Sequence, residues 1–454
     1  MSVDEQAAAK SGEITTKLKR GITGPLLFLF ILGDVLGAGV YALTGTMAAE
    51  VGGALWVPLI VALLLALLTA GSYAELVTKY PQAGGAAVFA QRAFKSPIVS
   101  FLVGFSMMAA GVVSAAGLAL AFAGDYLAEF VPVPAVVAAP IFLLLVAALN
   151  ARGIRESMAG NVVMTVIELS GLLIIIIAVG LMMGGGGGDV SRVGEFPAGV
   201  NPAIATFSAA IIAYYSFVGF ETSANVIEEV RNPRRVYPRA LFGSLIVAGV
   251  VYVLVGLASS IAMPADELAD SSAPLLEVFE ATGLAVPGWV FSAIALIAVA
   301  NGALLTMIMA SRLAYGMAEQ GLLPSVLGRV LPKRRTPWVA ILVTTAIAIG
   351  LTFIGDLGTL AETVVLLLLF VFLSTNVAVL VLRREHVDRE HFRVWTFVPV
   401  LGIASCVLLL TQQDPHVWLL GAIAIAVGLV AYAATRFGVT KPAPAPAADR
   451  ARDE

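Results

Sequence analysis

The chain has 454 residues, 59% of them hydrophobic and 13% charged, with a net charge of −3 and a mean hydropathy of +0.95. A soluble domain carries about 45–50% apolar and about 25% charged residues, so this composition excludes an ordinary water-soluble fold and makes lipid the solvent. The near-neutral charge gives no footing for nucleic acid, and the lone Cys406 excludes an intrachain disulfide or a metal site built on several cysteines. From the N-terminus, residues 1–21 are polar, lack the apolar stretch and cleavage site of a signal peptide, and read as a tail. Runs of about 20 apolar residues can cross a hydrocarbon core. They fall near 24–48, 54–78, 98–122, 133–150 and 157–183. The rest lie near 200–230, 240–262, 285–317, 337–354, 359–382, 394–412 and 416–436. Each is too long for the alternating strands of about 10 residues that build an outer-membrane barrel. The expectation is an all-α membrane protein with twelve transmembrane helices. The five glycines at 184–188 follow a helix rather than a strand, so they read as a flexible linker and not a phosphate loop. Residues 437–454, rich in Pro, Ala and charge from 442 onward, read as a disordered tail.

Lys and Arg set the orientation. They cluster before the first span (Lys17, Lys19, Arg20) and in alternate loops, as with Arg92 and Lys95, Arg152 and Arg155, Arg231 to Arg239, and Arg383 to Arg393. Of all Lys and Arg, Arg192 alone falls on the other side, where loops are acidic through Asp125, Glu129, Asp266, Glu267 and Asp356. An even number of spans in the cell membrane, with both termini cytoplasmic, is expected. Two spans five apart are interrupted. One reads Gly33-Asp34-Val35-Leu36-Gly37-Ala38-Gly39-Val40, the other Tyr214-Tyr215-Ser216-Phe217-Val218-Gly219-Phe220-Glu221. Interruptions at corresponding places in two halves point to an inverted repeat with discontinuous helices. The halves are 22–183 (spans 1–5) and 200–383 (spans 6–10), with spans 11 and 12 at 394–436.

Three motifs occur in order on these spans. The first is Gly37-Ala38-Gly39. In the second, Phe217-Val218-Gly219-Phe220-Glu221 runs on to Glu228-Glu229-Val230-Arg231-Asn232-Pro233-Arg234-Arg235 and Pro238-Arg239. The third, at the eighth-span exit, is Ser311-Arg312-Leu313-Ala314-Tyr315-Gly316-Met317-Ala318 with Gly321-Leu322-Leu323-Pro324. Over roughly residues 18–436 the chain thereby resembles the amino acid–polyamine–organocation superfamily of permeases, which share the leucine-transporter fold. The resemblance implies a 5+5 inverted repeat with broken first and sixth helices, and transport rather than enzyme chemistry. It implies no cofactor; the partners are a small amino acid or amine, a proton or sodium, and the lipid bilayer. Nothing in the sequence specifies an oligomeric state.

Physical chemistry assigns roles to the breaks. Unwinding near residues 37–40 frees N–H groups at a half-helix start, which attract a carboxylate, and glycines let the ligand close to the backbone. Val35, Gly37, Ala38 and Gly39 are the candidates there. Carbonyls released around Tyr214, Tyr215 and Ser216 would accept from an ammonium group, with Gly219 completing the break. The resemblance suggests Phe217, or else Tyr214, as an aromatic lid. Side-chain selectivity falls to Met107, Met108 and Gly111 on the third span and to Ile297 and Ala298 on the eighth. None of these carries charge, which favours a small or apolar neutral substrate, because a charged one needs a partner in low dielectric.

Ionisable groups inside a bilayer cost roughly 2.5–3.5 kcal/mol on insertion scales and are functional by default. Asp34, Glu168 and Glu221 are such groups. Glu168 lies about 16 Å into the fifth span. In many relatives of the resembled family the pattern Asn-x-x-x-x-x-x-Lys places an ammonium there; here Asn161 leads to Glu168. A glutamate can hold a proton by alternating between protonated and ionised forms, or ligate a cation within carbonyls near Gly33 and Leu36 and the Thr306 hydroxyl. Asp34 lines the same region or pairs with a polar neighbour, and Glu221 helps to gate the sixth-span break. Arg231 to Arg239 anchor the topology and the inner gate, and the three histidines show no metal spacing. The expected activity is proton-coupled uptake of neutral amino acids. Rivals are sodium symport, amino acid or amine exchange, and, from another class, a sensor that binds without transporting.

Overall fold

The computed structural model describes residues 21–36, 39–82, 85–152, 157–331, 334, 336–387 and 390–437. Gly37 and Ala38 of the first-span motif, and residues 1–20 and 438–454 of the expected tails at 1–21 and 437–454, lie outside the described residues. The described chain is helical, and extended backbone pairs only in an isolated parallel bridge between Ile22 and Val230.

Among the described residues, ten stretches are long and apolar enough to cross a membrane. The first, Gly24–Val51, contains α1 (Gly24–Leu36) and α2 (Gly39–Val51). Next come α3 (Trp56–Lys79), the loop helix α4 (Gly85–Phe94), α5 (Pro97–Phe122) and a single turn, α6 (Asp125–Ala128). They are followed by α7 (Ala135–Arg152) and α8 (Ser157–Gly184). The sixth stretch, Pro202–Glu229, holds α9 (Pro202–Tyr215) and a 3-10 segment, Phe220–Glu229. Beyond it lie α10 (Pro233–Ala262) and the loop helices α11 (Ala265–Asp270) and α12 (Pro274–Ala281). The chain continues through α13 (Gly288–Glu319), α14 (Trp338–Thr352), α15 (Leu357–Leu382), α16 (Phe397–Thr411) and α17 (Pro415–Phe437). Helices α14 and α16 are apolar but have only 15 residues each, about 22 Å of rise.

Helix starts follow local chemistry. The Asn201 side chain accepts from Ala203 N ahead of Pro202, and Asp356 accepts from Thr359 N at the head of α15; caps of this kind satisfy amides that no helical carbonyl can reach. Pro97 and Pro233 open α5 and α10, where a missing N–H costs nothing. The pattern of burial is inverted relative to a soluble protein. On α8, Ile177 and Leu181 are about 60% exposed, at 60% and 62%, while Asn161, Thr165 and Glu168 are buried. Such a helix turns its apolar face to lipid and its polar face to protein.

Two packing groups result. In one, α1 and α3 each pack on α10, and α9 packs on α2 and α3. In the other, α5, α7, α13 and α14 contact one another. Helix α8 reaches both groups, touching α1, α10 and α13, and α15 does the same, touching α3, α9 and α5. Helix α16 leans on α3 and α15, and α17 on α15 and α5.

Candidate functional site

The sixth-span stretch breaks at a glycine. After α9, the amides of Ser216, Phe217 and Val218 turn back onto the carbonyls of Ala213, Tyr214 and Tyr215 at 3.0–3.1 Å. Gly219 then takes φ +122°, and a Cβ there would lie 2.7 Å from Asp34 O. Only glycine fits both the dihedral and the contact. The amide of Gly219 donates to Glu221 Oε2 at 2.9 Å, so the next carboxylate satisfies the N–H that the break has left over. The Thr222 hydroxyl donates to Asp34 Oδ2 and lies 2.8 Å from Gly219 O. Asp34 and Glu221 are thus brought to the same break from different spans.

The start of α2 meets this break directly. A Cβ on Gly39 would sit 2.7 Å from Ser216 Cα. The Ser216 hydroxyl is buried without a hydrogen-bond partner among the described residues. From α10, the Tyr252 hydroxyl lies 2.5 Å from Val35 O and 3.2 Å from Ser216 O, donating to this pair of carbonyls from both interrupted spans. Its ring packs edge-on against Phe217. Tyr252 was not singled out in the sequence, where a tyrosine in an apolar run carries no distinguishing signal.

A cavity of about 1050 Å³ opens here. Val35, Gly39, Tyr215, Ser216 and Gly219 line it, as do Asp34, Glu221 and Thr306. Gly111 and Leu118 of α5, Leu305 and Met309 of α13, and Val364 and Leu368 of α15 give it an apolar stretch of far wall, with Ser114 of α5 and Arg312 of α13 as polar members. It extends to Gln82, Arg92 and Gln320, at the ends of the spans that carry the basic loops. Tyr214, Phe217 and Met107 are buried but lie off the wall, and so does the half-buried Ile297. Tyr214 and Phe217 pack instead against Phe372 and Tyr252.

Glu168 occupies a separate spot. It is 0% exposed; Oε1 accepts from Asn301 Nδ2 of α13 at 2.9 Å, and Oε2 has no partner among the described residues. The Tyr41 hydroxyl donates to its backbone carbonyl at 2.7 Å. Gly33 and Leu36 are buried on α1, and a Cβ on Gly33 would overlap the Thr165 hydroxyl of α8. The Thr306 hydroxyl turns back on its own helix, 3.0 Å from Gly302 O. Asn301, adjacent to the cavity-lining Gly302, was passed over in the sequence because one amide in a long apolar helix reads as packing.

Comparison with known proteins adds an independent finding. A family model described as amino acid permease matches residues 24–438. The chain is 29% identical over 439 residues to the methylthioribose transporter of Bacillus subtilis (strain 168), covering 91% of this chain and 93% of that protein. It is 27% identical over 464 residues to the branched-chain amino acid permease BcaP of the same organism, covering 95% and 96%. To the low-affinity putrescine importer PlaP of Escherichia coli (strain K12) it is 28% identical over 395 residues, covering 84% and 86%. The family and these relatives are transporters, not enzymes.

Proposed function

This chain belongs to the amino acid permease family, and we propose that it is a secondary active transporter importing neutral amino acids together with a proton. The observation that carries the proposal is the end of the cavity, where the start of α2 at Gly39 faces the buried Ser216 hydroxyl and the broken sixth span. A helix start favours the substrate carboxylate, and carbonyls of the sixth-span break accept from its ammonium. The apolar stretch of wall at Gly111, Leu118, Leu305, Met309, Val364 and Leu368 suits an apolar side chain, in keeping with the branched-chain substrates in the name of one relative.

On this reading the ten long stretches and the two 15-residue helices make twelve spans in the cell membrane, with both termini cytoplasmic. The bridging positions of α8 and α15, fifth in their respective halves, support a 5+5 inverted repeat. The cavity then faces the cytoplasm, and alternating access closes it there while opening the other side. Glu168, buried beside α1 with one carboxyl oxygen unpartnered among the described residues, is the proton carrier. Glu221 and Asp34 hold the sixth-span break as an inner gate.

The test is uptake of a panel of labelled amino acids into proteoliposomes under imposed proton or sodium gradients. A proton gradient alone should drive accumulation by the wild type. Glu168→Gln should lose that drive by roughly a hundredfold, the scale of a missing proton-transfer group, while downhill exchange proceeds. A requirement for sodium would overturn proton coupling and make Glu168 a cation ligand; accumulation of putrescine rather than neutral amino acids would overturn the substrate class.

A further inference from the structure

Asn161, Thr165 and Glu168 stand at i, i+4 and i+7 on one face of α8. All are buried: Asn161 is 4% exposed and the other two 0%. Among the described residues, neither polar atom of the Asn161 amide nor Glu168 Oε2 has a hydrogen-bond partner. Leaving such a group unpaired in a dry interior costs about 1–3 kcal/mol, and buried polar groups in native proteins pair with protein or ordered water. Three orphan atoms on one helix face therefore point to water along that face. The Thr165 hydroxyl donates to Asn161 O at 2.7 Å and lies 3.5 Å from Leu29 O of α1. A Cβ on Gly33 would meet Thr165 and come within 3.3 Å of the Asn161 amide, so α1 walls the face in. The cavity touches α1 on other residues, Phe30, Asp34 and Val35, and no described residue of α8 lines it.

Resting on the proton-coupled reading above, we propose that the face formed by Asn161, Thr165 and Glu168 is a hydrated proton path, separate from the substrate cavity, that connects Glu168 to the side of the basic loops. A rise of 1.5 Å per residue puts Asn161 about 10 Å from Glu168 along the helix, a gap that two or three waters at about 2.8 Å spacing bridge. The titratable groups facing Glu168 are Asp34 of α1, Tyr41 of α2 and Tyr252 of α10, with Asn301 of α13 holding Oε1. As the proton leaves, the O–H bond at Oε2 breaks and one forms on the adjoining water. The carboxylate keeps its amide donor, and the proton reaches bulk water as hydronium. Asn161 and Thr165 act as positioning residues for that water.

The experiment uses the full chain in proteoliposomes with a trapped pH-sensitive dye and the amino acid the wild type accumulates best. Asn161→Leu and Thr165→Val should each cut proton-driven accumulation and substrate-dependent proton entry by at least about tenfold, the low end for loss of a proton relay. Counterflow of labelled substrate, which moves no net proton, should change less than twofold. Asn161→Asp and Thr165→Ser, which keep a polar atom in place, should restore proton entry. Thr165→Val is close to isosteric, so the test survives if Asn161→Leu folds poorly. Wild-type proton entry in the Leu and Val variants would overturn the path. So would a parallel loss of counterflow and proton entry in all four. Absence of proton-driven uptake in the wild type itself would bring down the underlying reading, and the path with it.

Discussion

At the scale of single residues, Gly219 concentrates the most constraint. Its φ of +122° and the 2.7 Å that a Cβ would leave to Asp34 O act together. We expect Gly219→Ala to cost about 1–3 kcal/mol in backbone strain and to reduce substrate uptake at least tenfold. Thermal unfolding in detergent and uptake in liposomes read the two effects, and an alanine variant with wild-type uptake would refute the constraint. Gly219 and Glu221 were legible beforehand, since a glycine and a carboxylate inside an apolar run stand out against lipid-compatible neighbours. Glu168 was legible for the same reason. Tyr252 and Asn301 were not: their partners come from other spans, so nothing local in the sequence marks them. Thr165 was missed because a threonine in a membrane helix can satisfy its own hydroxyl on the preceding turn.

At the scale of elements, α3 and α15 are fastened together at the ends that carry basic residues. Glu75, 1% exposed, receives Arg383 Nε on Oε1 at 2.7 Å and Nη2 on Oε2 at 2.6 Å. Val394 N also donates to Oε2 at 3.0 Å. The Lys79 ammonium donates to Leu382 O and Glu385 O, satisfying carbonyls that the end of α15 leaves free. Removing one partner of a buried pair strands the other charge, at about 3–5 kcal/mol. Arg383→Ala should therefore destabilise strongly, and the Glu75→Met, Arg383→Leu double variant should recover much of the loss. A thermal double-mutant cycle measures this, and equal loss in single and double variants would contradict it. Helix ends lay within a few residues of the hydropathy windows for most spans, because hydropathy and helix length answer to the same lipid thickness. Helices α4, α11 and α12 escaped, being too short and polar for any such window. The start of α10 at Pro233 was also missed, since its first turns are basic.

At the scale of the whole molecule, α1 and the Phe220–Glu229 segment are joined at two levels. The hydrogen bond between Thr222 and Asp34 ties them at the break. Ile22 N donates to Glu229 O at 3.0 Å and Arg231 N to Ile22 O at 2.9 Å, tying them again just ahead of α1. They should move as one body. A disulfide between Ile22→Cys and Val230→Cys, in a Cys406→Ala background, should leave uptake near wild type; loss of uptake on oxidation, restored by reductant, would show that the two part during the cycle.

Helix α1 has two occupied faces, with Phe30 and Asp34 on the cavity and Gly33 against Thr165 of α8. A thirteen-residue rod this tightly seated cannot tilt on one face and stay still on the other. If the cargo door and the proton door hang on that one leaf, the exchange ratio between them is fixed mechanically. Idle leakage of protons without cargo then requires bending the leaf itself, so the interlock is a matter of carpentry rather than timing.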